Sequence, residues 1–575
     1  MNGAVRAPWL PWRSPLGAVL LLALLARLVG LVWGLPAADG WDDDGVAPRD
    51  FLPGVVDTYA WGHHATYPPL QMIVLALATA PIWTAALLRA PTLAPPALVA
   101  AFVQVPTMTA LAVVARAVTV AMSLGLLWNL ARIGETLRRS SRAGAWTAAS
   151  CAACSVFTYY SQTSNLDVPY LFWGVLAIRR VVEAIAGREP RALRGALVFA
   201  ALAVCTKDQA YALFLLSVPL ALGGWLLLDP PARDKASAIA AHLAPGVAVG
   251  AAIVLLVDGA LFNPVGFAGR VRFLLGTASQ DHAMYAANAL GYAHVARDSV
   301  LAFGRSFPWT MAPLVVVGLV ASQRAADRAL RAAGWVPALV ALSFTLAFDM
   351  TARRTEDRFV LPQMLMCGVY AGLACDALQT WLGPRRVGAL AGLLAFAFVP
   401  AIFRCAAVDA AMVLDPRYDA ERWLGAHVQP GDRLEIYDNN VHLPRLPSGL
   451  VVERVDLTPP AGRSPMPGVS EVRDHLSNVA ARDPRFILVS QFWAYKYLLE
   501  PRVLADLGRV LSPQQEAARL DDDSVAYFHD LRDGRLGYQL VHVAAPASSF
   551  WPIVDIHASL DRELWIYERS GELRR

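Results

Sequence analysis

Apolar stretches near the length of a bilayer-crossing helix recur along the first 404 residues. They predict spans near 15–35, 108–131, 143–162, 166–183, 192–207, 209–228, 237–260, 306–322, 333–349, 359–380 and 387–404. The first lacks a small-x-small cleavage site and is followed by many more, so it reads as an anchor and not as a removed leader. Beyond about residue 408 the pattern changes to short mixed elements. Asp415 is placed to cap a helix over 417–427. The run 434–438 follows a Pro-Gly-Asp turn and reads as a strand. So do 486–490, with a helix after it, and 564–567. The pattern predicts a polytopic α-helical membrane protein of about 11 spans (residues 1–407) with a C-terminal soluble α/β domain (408–575). There is no internal repeat and no low-complexity linker.

The stretch 69–90 is also apolar and long enough to span, and charge arbitrates. Loops 132–142, 179–194, 229–236, 323–332 and 383–386 carry 16 Lys and Arg between them. If 69–90 lies along the outer interface, within a first outer loop 36–107, all five loops face the cytoplasm. If it spans, all five face outward. The positive-inside rule selects the first arrangement. The N-terminus is then inside, and the tail lies outside the cytoplasmic (inner) membrane, in the periplasm.

Composition agrees. Hydrophobic residues make up 56% and charged residues 17%. Residues 1–400 hold only 51 of the 96 charged side chains, so the tail is far richer in charge. This excludes a purely cytosolic enzyme, a disordered chain and a disulfide scaffold. A net charge of +4 gives no ground for nucleic-acid binding. The six cysteines lie in or beside apolar stretches, and Cys151-x-x-Cys154 has no second pair to make a zinc site with.

The candidate chemistry sits in the outward loops. Residues 36–68 carry six acids (Asp39, Asp42, Asp43, Asp44, Asp50, Asp57) against one cation, Arg49. Crowding and the nearby apolar slab raise the pKa of such carboxylates, and one of them could accept a proton from an acceptor hydroxyl. A solvated acidic loop, with or without a bound cation, is the competing reading. Asn165-Leu166-Asp167-Val168-Pro169 sits between two spans, where Asp167 could cap a helix or serve a site. Lys207, one of three lysines, lies outward; it would meet a phosphate or pair locally with Asp208. Arg353, Arg354 and Arg358 surround Glu356 and Asp357, either binding an anion or forming an internal ion-pair network.

The order of motifs resembles the GT-C membrane glycosyltransferases. The likeness is to the bacterial branch similar to protein O-mannosyltransferases and lipid A aminoarabinose transferases. It covers about residues 15–405 and runs through the acidic loop, Tyr67-Pro68-Pro69-Leu70, the Arg116 span, Asn165–Pro169, Thr206-Lys207 and Arg358-Phe359-Val360-Leu361-Pro362. The resemblance implies a hexosyl- or pentosyltransferase using a sugar on a polyprenyl monophosphate. Transfer inverts the anomeric centre and goes to a protein, lipid or glycan acceptor on the outer face. A first-loop Asp is the base, often in an Asp-Glu pair; here Asp42-Asp43 matches, with Asp44 next. The family's Lys-Pro-Pro or His-Pro-Pro is Tyr67-Pro68-Pro69, which removes a cation that His63, His64 or Arg49 would have to replace. Lys207, Arg353, Arg354, Arg358 and Arg49 are the expected phosphate-binding cations. Tyr67, His64, Asp167 and Arg116 are expected to bind substrate or hold the site. The chemistry calls for no cofactor and requires no metal; its other partners are membrane lipids. The competing functions are a transporter or flippase for a lipid-linked or anionic solute, and an outward-facing sensor or assembly protein.

Overall fold

The computed structural model describes residues 14–37, 39–42, 45–276, 282–457, 463, 466–498, 521–546, 560 and 562–570. Among them, seven helices are long and apolar enough to cross a membrane: Pro15–Val32, Val105–Arg138, Asp208–Leu228, Ala236–Val257, Arg328–Ala352, Asp357–Leu382 and Val387–His427. Two bent pairs raise the number to nine. The expected spans 143–162, 166–183 and 192–207 also fold as helices (Ser141–Ala152 with Ser155–Tyr160, Asp167–Ala186, Ala192–Val204). They miss that count because the first breaks at Ala153-Cys154, the second carries Arg179, Arg180 and Glu183, and the third is short. The first two are largely buried inside the bundle, where lipid-facing hydropathy is not needed. The expected span 306–322 starts at a sharp corner. Helix Ala289–Ser306 turns by 88° into Trp309–Gln323 across Phe307-Pro308.

The stretch 69–90 is not one straight rod. It forms helices Leu70–Ala78 and Ala80–Arg89, which meet at 61°. At 1.5 Å per residue each is about 14–15 Å long, half of a bilayer core of about 30 Å. Thr79 holds the kink: its hydroxyl donates to the Leu75 carbonyl (2.6 Å) and accepts from Trp83 Nε1 (2.9 Å).

The helices sort the loops into two ends. At one end the basic loops converge. Arg188 pairs with Asp229 (2.8 Å) and Asp327 (2.8 Å), Arg139 with Asp327 (3.0 Å), and Arg138 with Asp376 (3.2 Å). Lys235 donates to the Arg188 carbonyl (2.9 Å). At the other end lie the acidic first loop, residues 161–167 and 205–208, the 353–358 segment and the tail. Val46 N–H donates to the Ser164 carbonyl (2.9 Å), and Leu70 N–H to the Cys205 carbonyl (3.0 Å). The loops grouped by charge in the sequence are therefore grouped in space.

The tail is a small α/β domain. Its strands are β1 Arg433–Ile436, β2 Val451–Val455, β3 Val469–Val472, β4 Phe486–Ser490, β5 Tyr538–Ala544 and β6 Leu564–Arg569. The sheet order is β3-β2-β1-β4-β6-β5; the first four are parallel, and β6 and β5 run antiparallel to their neighbours. The sequence pattern marks β1, β4 and β6, whose inner positions are apolar on a covered sheet. It misses β2, which buries Arg454, and β3 and β5, whose residues are mostly exposed. Helix Pro416–His427 starts one residue earlier than expected, with the Asp415 carboxylate accepting from Arg417 N–H (2.9 Å) as its cap.

Candidate functional site

The first loop folds back under the tail and does not lie open in solvent. Asp42 is only 7% exposed, and its Oδ1 accepts from the Tyr159 hydroxyl (3.1 Å). The flanking glycines make this approach possible. A Cβ on Gly45 would come within 2.8 Å of Asp42 Oδ2, and one on Gly40 within 2.9 Å of Arg116 Nη2. Trp41, whose amphipathic ring would suit a membrane interface, is 2% exposed. Its ring packs on Trp33 (6.2 Å) and Tyr418 (4.8 Å), with the Arg417 guanidinium 4.4 Å from its centroid. Burying an indole between two domains removes far more apolar area than an interfacial position would. Asp43 and Asp44 lie outside the described residues.

Asp42 opens on a cavity of about 310 Å³ that Asp39, Asp50, Arg49 and Arg116 also line. Arg116 is buried, and its Nη1 donates to the carbonyls of Gly30 (3.2 Å), Leu31 (3.1 Å) and Trp33 (2.7 Å). It therefore ties down the end of the first helix as well as facing the acids. Arg49 pairs with Asp39 (2.8 Å), which occupies it in the first loop. Asp50 stands exposed at the cavity rim, where loss of part of its water raises its carboxyl above the ordinary range, more than Arg49 lowers it, and Asp39 pushes the same way.

Ser164 lines the same cavity, and three residues on a second polar cluster begins. Asp167, fully buried, is not the cap of its helix: Leu166 takes that position, and Asp167 Oδ1 holds Lys207 Nζ at 2.6 Å. Asp208, the alternative partner of Lys207, binds Arg270, which also faces Asp258 (3.6 Å). Lys207 is 9% exposed and sits 5.7 Å from the Tyr170 ring. The Tyr170 hydroxyl lies beside Gln209 and within electrostatic reach of Asp349 and Arg358. Arg358 and Arg354 grip the two oxygens of Glu356 (2.8 and 2.7 Å) and both cover the Phe359 ring. Arg353 instead donates to the Tyr285 carbonyl (3.0 Å).

The structure thus pairs Asp167 with Lys207 beside Tyr170, ties Arg358 to Glu356, and lines the adjoining cavity with Asp42, Arg116 and Arg49. Tyr67 is exposed three residues before Leu70, whose N–H reaches the Cys205 carbonyl two residues before Lys207. His64 packs against Phe273 (5.9 Å) on helix Pro264–Leu275. Tyr159, Tyr170 and Arg270 escape a reading of the sequence because each is a lone polar group in an apolar context. No group of three or more metal-ligating side chains occurs among the described residues.

No protein-family model matches the sequence, and neither does any curated protein. Solved structures align with much of the chain at TM-scores below 0.5. ArnT from Cupriavidus metallidurans bound to undecaprenyl phosphate is 13% identical over 96% of this chain and 97% of its own, with a TM-score of 0.44. The archaeal oligosaccharyltransferase AglB from Archaeoglobus fulgidus, in complex with an inhibitory peptide and a dolichol-phosphate, is 11% identical over 98% of this chain and 89% of its own, at 0.43. The arabinosyltransferase EmbB from Mycobacterium smegmatis is 14% identical over 93% of this chain and 42% of its own, at 0.40. At this distance the likeness fixes no activity, which has to come from this chain's own residues. The chain aligns over more than nine-tenths of its length with each of these three transferases.

Proposed function

We propose that this chain transfers a sugar, with inversion, from a polyprenyl-phosphate-linked donor to a protein, lipid or glycan acceptor on the outer face of the cytoplasmic membrane. One observation carries the reading: a buried carboxylate, Asp42, and a buried ammonium, Lys207, stand at the same end of the bundle on either side of residues 164–167. The roles divide accordingly. Lys207, with Arg358, receives the phosphate; Asp42 removes the acceptor's proton as the anomeric carbon is attacked from the opposite face. The carbon–oxygen bond to the phosphate breaks, and the leaving phosphate keeps the electron pair. Cations stabilise that charge, so no acid has to protonate it. Asp43 and Asp44 stay alternatives for the base. Arg49, Arg353, Arg354, Tyr67 and His64 are secondary donor contacts, and Asp167 and Arg116 hold the site.

The test is donor consumption. Purified protein supplied with undecaprenyl-phosphate sugars and a membrane extract as acceptor source should release undecaprenyl phosphate. No release from any hexosyl or pentosyl donor would discard the proposal. Sidedness is tested separately. Reporter fusions after residue 190 should be active in the cytoplasm, and those after residue 420 only outside it. A cytoplasmic tail would put the kinked 70–89 pair through the bilayer and move Lys207 and Arg358 to the cytoplasmic side.

A further inference from the structure

We infer that the soluble domain is part of the transfer site: Asn440, on the loop leaving β1, positions the Asp39–Arg49 wall of the Asp42 cavity. This rests on the functional reading above for its chemistry, though not for its geometry. The cavity is closed from the tail by Asn439, Asn440, Val441 and Arg463. Asn440 is oriented from behind. Its Oδ1 accepts from Arg454 Nη1 (2.6 Å), which turns Nδ2 toward the membrane part, where it donates to Asp39 Oδ2 (2.7 Å). Asp39 in turn grips Arg49 (2.8 Å). A line of charge-assisted bonds therefore runs from the sheet of the tail to the loop that carries Asp42.

The tail's own architecture supports this placement. Strands β2 and β4 flank β1 on opposite sides, so β1 is where the strand order reverses. In open α/β sheets the crevice beyond the carboxyl ends of the strands at such a point is where ligands bind. The loop leaving β1 there is built with a strained residue. Asp438 has φ of 96°, in the left-handed region that a non-glycine residue seldom adopts. Its carboxylate accepts from Asn439 N–H (2.6 Å) and faces His442 Nδ1 (2.8 Å), which locks the turn. Arg463 is held from the same side by Asp456 (3.0 Å) and Glu471 (3.0 Å). A domain that only shielded the membrane part would need neither a locked loop at this point nor an amide aimed at Asp39. An acceptor group held in the cavity would meet these tail residues as part of its wall, so the tail takes part in selecting it.

Asn440→Leu keeps the volume and removes the donor. In the full-length protein it should raise amide hydrogen exchange in residues 45–52, while exchange in the core strands β1 and β4 stays as in wild type. Release of undecaprenyl phosphate from the sugar donor should slow about tenfold, the size of one lost charge-assisted bond. Asp39→Asn should slow release similarly, and the double variant should be no slower than the worse single one, because both cut the same link. Unchanged exchange in 45–52, or additive losses, would overturn the inference. Because the exchange measurement needs no turnover, a wild-type protein that released nothing would count against the transferase reading alone. If Asn440→Leu fails to fold, Asn440→Ser, which leaves room for a water, replaces it with the same expectations.

Discussion

Asp42→Asn is expected to reduce sugar transfer by about 10²–10⁴-fold, the usual contribution of a positioned general base, with folding and donor binding nearly intact. A hydroxyl acceptor is a poor nucleophile at neutral pH, and its proton has to go somewhere as the new bond forms. Three acids line the cavity among the described residues, and they are not equivalent. Asp39 is engaged by Arg49 and by Asn440. Asp50 is exposed at the rim. Asp42 is buried, held by Tyr159 and faced by Arg116, so the amide in its place would keep the shape and lose only the basicity. Asp43→Asn and Asp44→Asn should retain more activity. Initial rates of polyprenyl phosphate release, measured with thermal unfolding of each variant, decide the matter. Wild-type rates in all three variants would move the base to Asp50 or Asp167.

Lys207→Ala should weaken donor use about ten- to a hundredfold, the value of roughly 1.5–3 kcal/mol for a bond to a charged group. Arg358→Ala should fall in the same range. The structure adds a complication: Lys207 is the counter-charge of a fully buried Asp167. Removing one partner of a buried pair costs about 3–5 kcal/mol of stability, so Lys207→Ala alone will also express poorly. The informative variant is Lys207→Ala with Asp167→Asn, which removes both charges. It should recover expression and thermal stability and still use the donor as poorly as the single variant. Asp167→Asn alone strands the Lys207 ammonium in the same way and should also express poorly, while the protein that folds keeps a cation for the donor and uses it better than Lys207→Ala. Recovery of wild-type donor kinetics in the double variant would make the pair purely structural.

Much of this molecule is written in its hydrophobic pattern, because a bilayer imposes length and apolarity on every segment that crosses it. The positions of most helices, the helix cap at Asp415 and three of the six strands among the described residues follow from local sequence. So does the separation of basic from acidic loops, which the structure gathers at two ends. The acidic first loop, Lys207 and the Arg358 segment also stand out, since charges beside apolar spans are costly and conspicuous. What local pattern does not specify is partnership. Lys207 chooses Asp167, 40 residues away, over its neighbour Asp208, because Asp208 is taken by Arg270 from a helix far along the chain. Asp42 gains Tyr159, Trp41 packs on Tyr418, and Asn440 reaches Asp39 across 401 positions. Each of these contacts joins segments whose sequences carry no trace of one another. Hydrogen bonds and ion pairs at 2.6–3.1 Å depend on the packing of whole helices and of the tail on the bundle. Sequence determined which charged residues stand out beside the apolar segments; only the tertiary structure decided which of them meet.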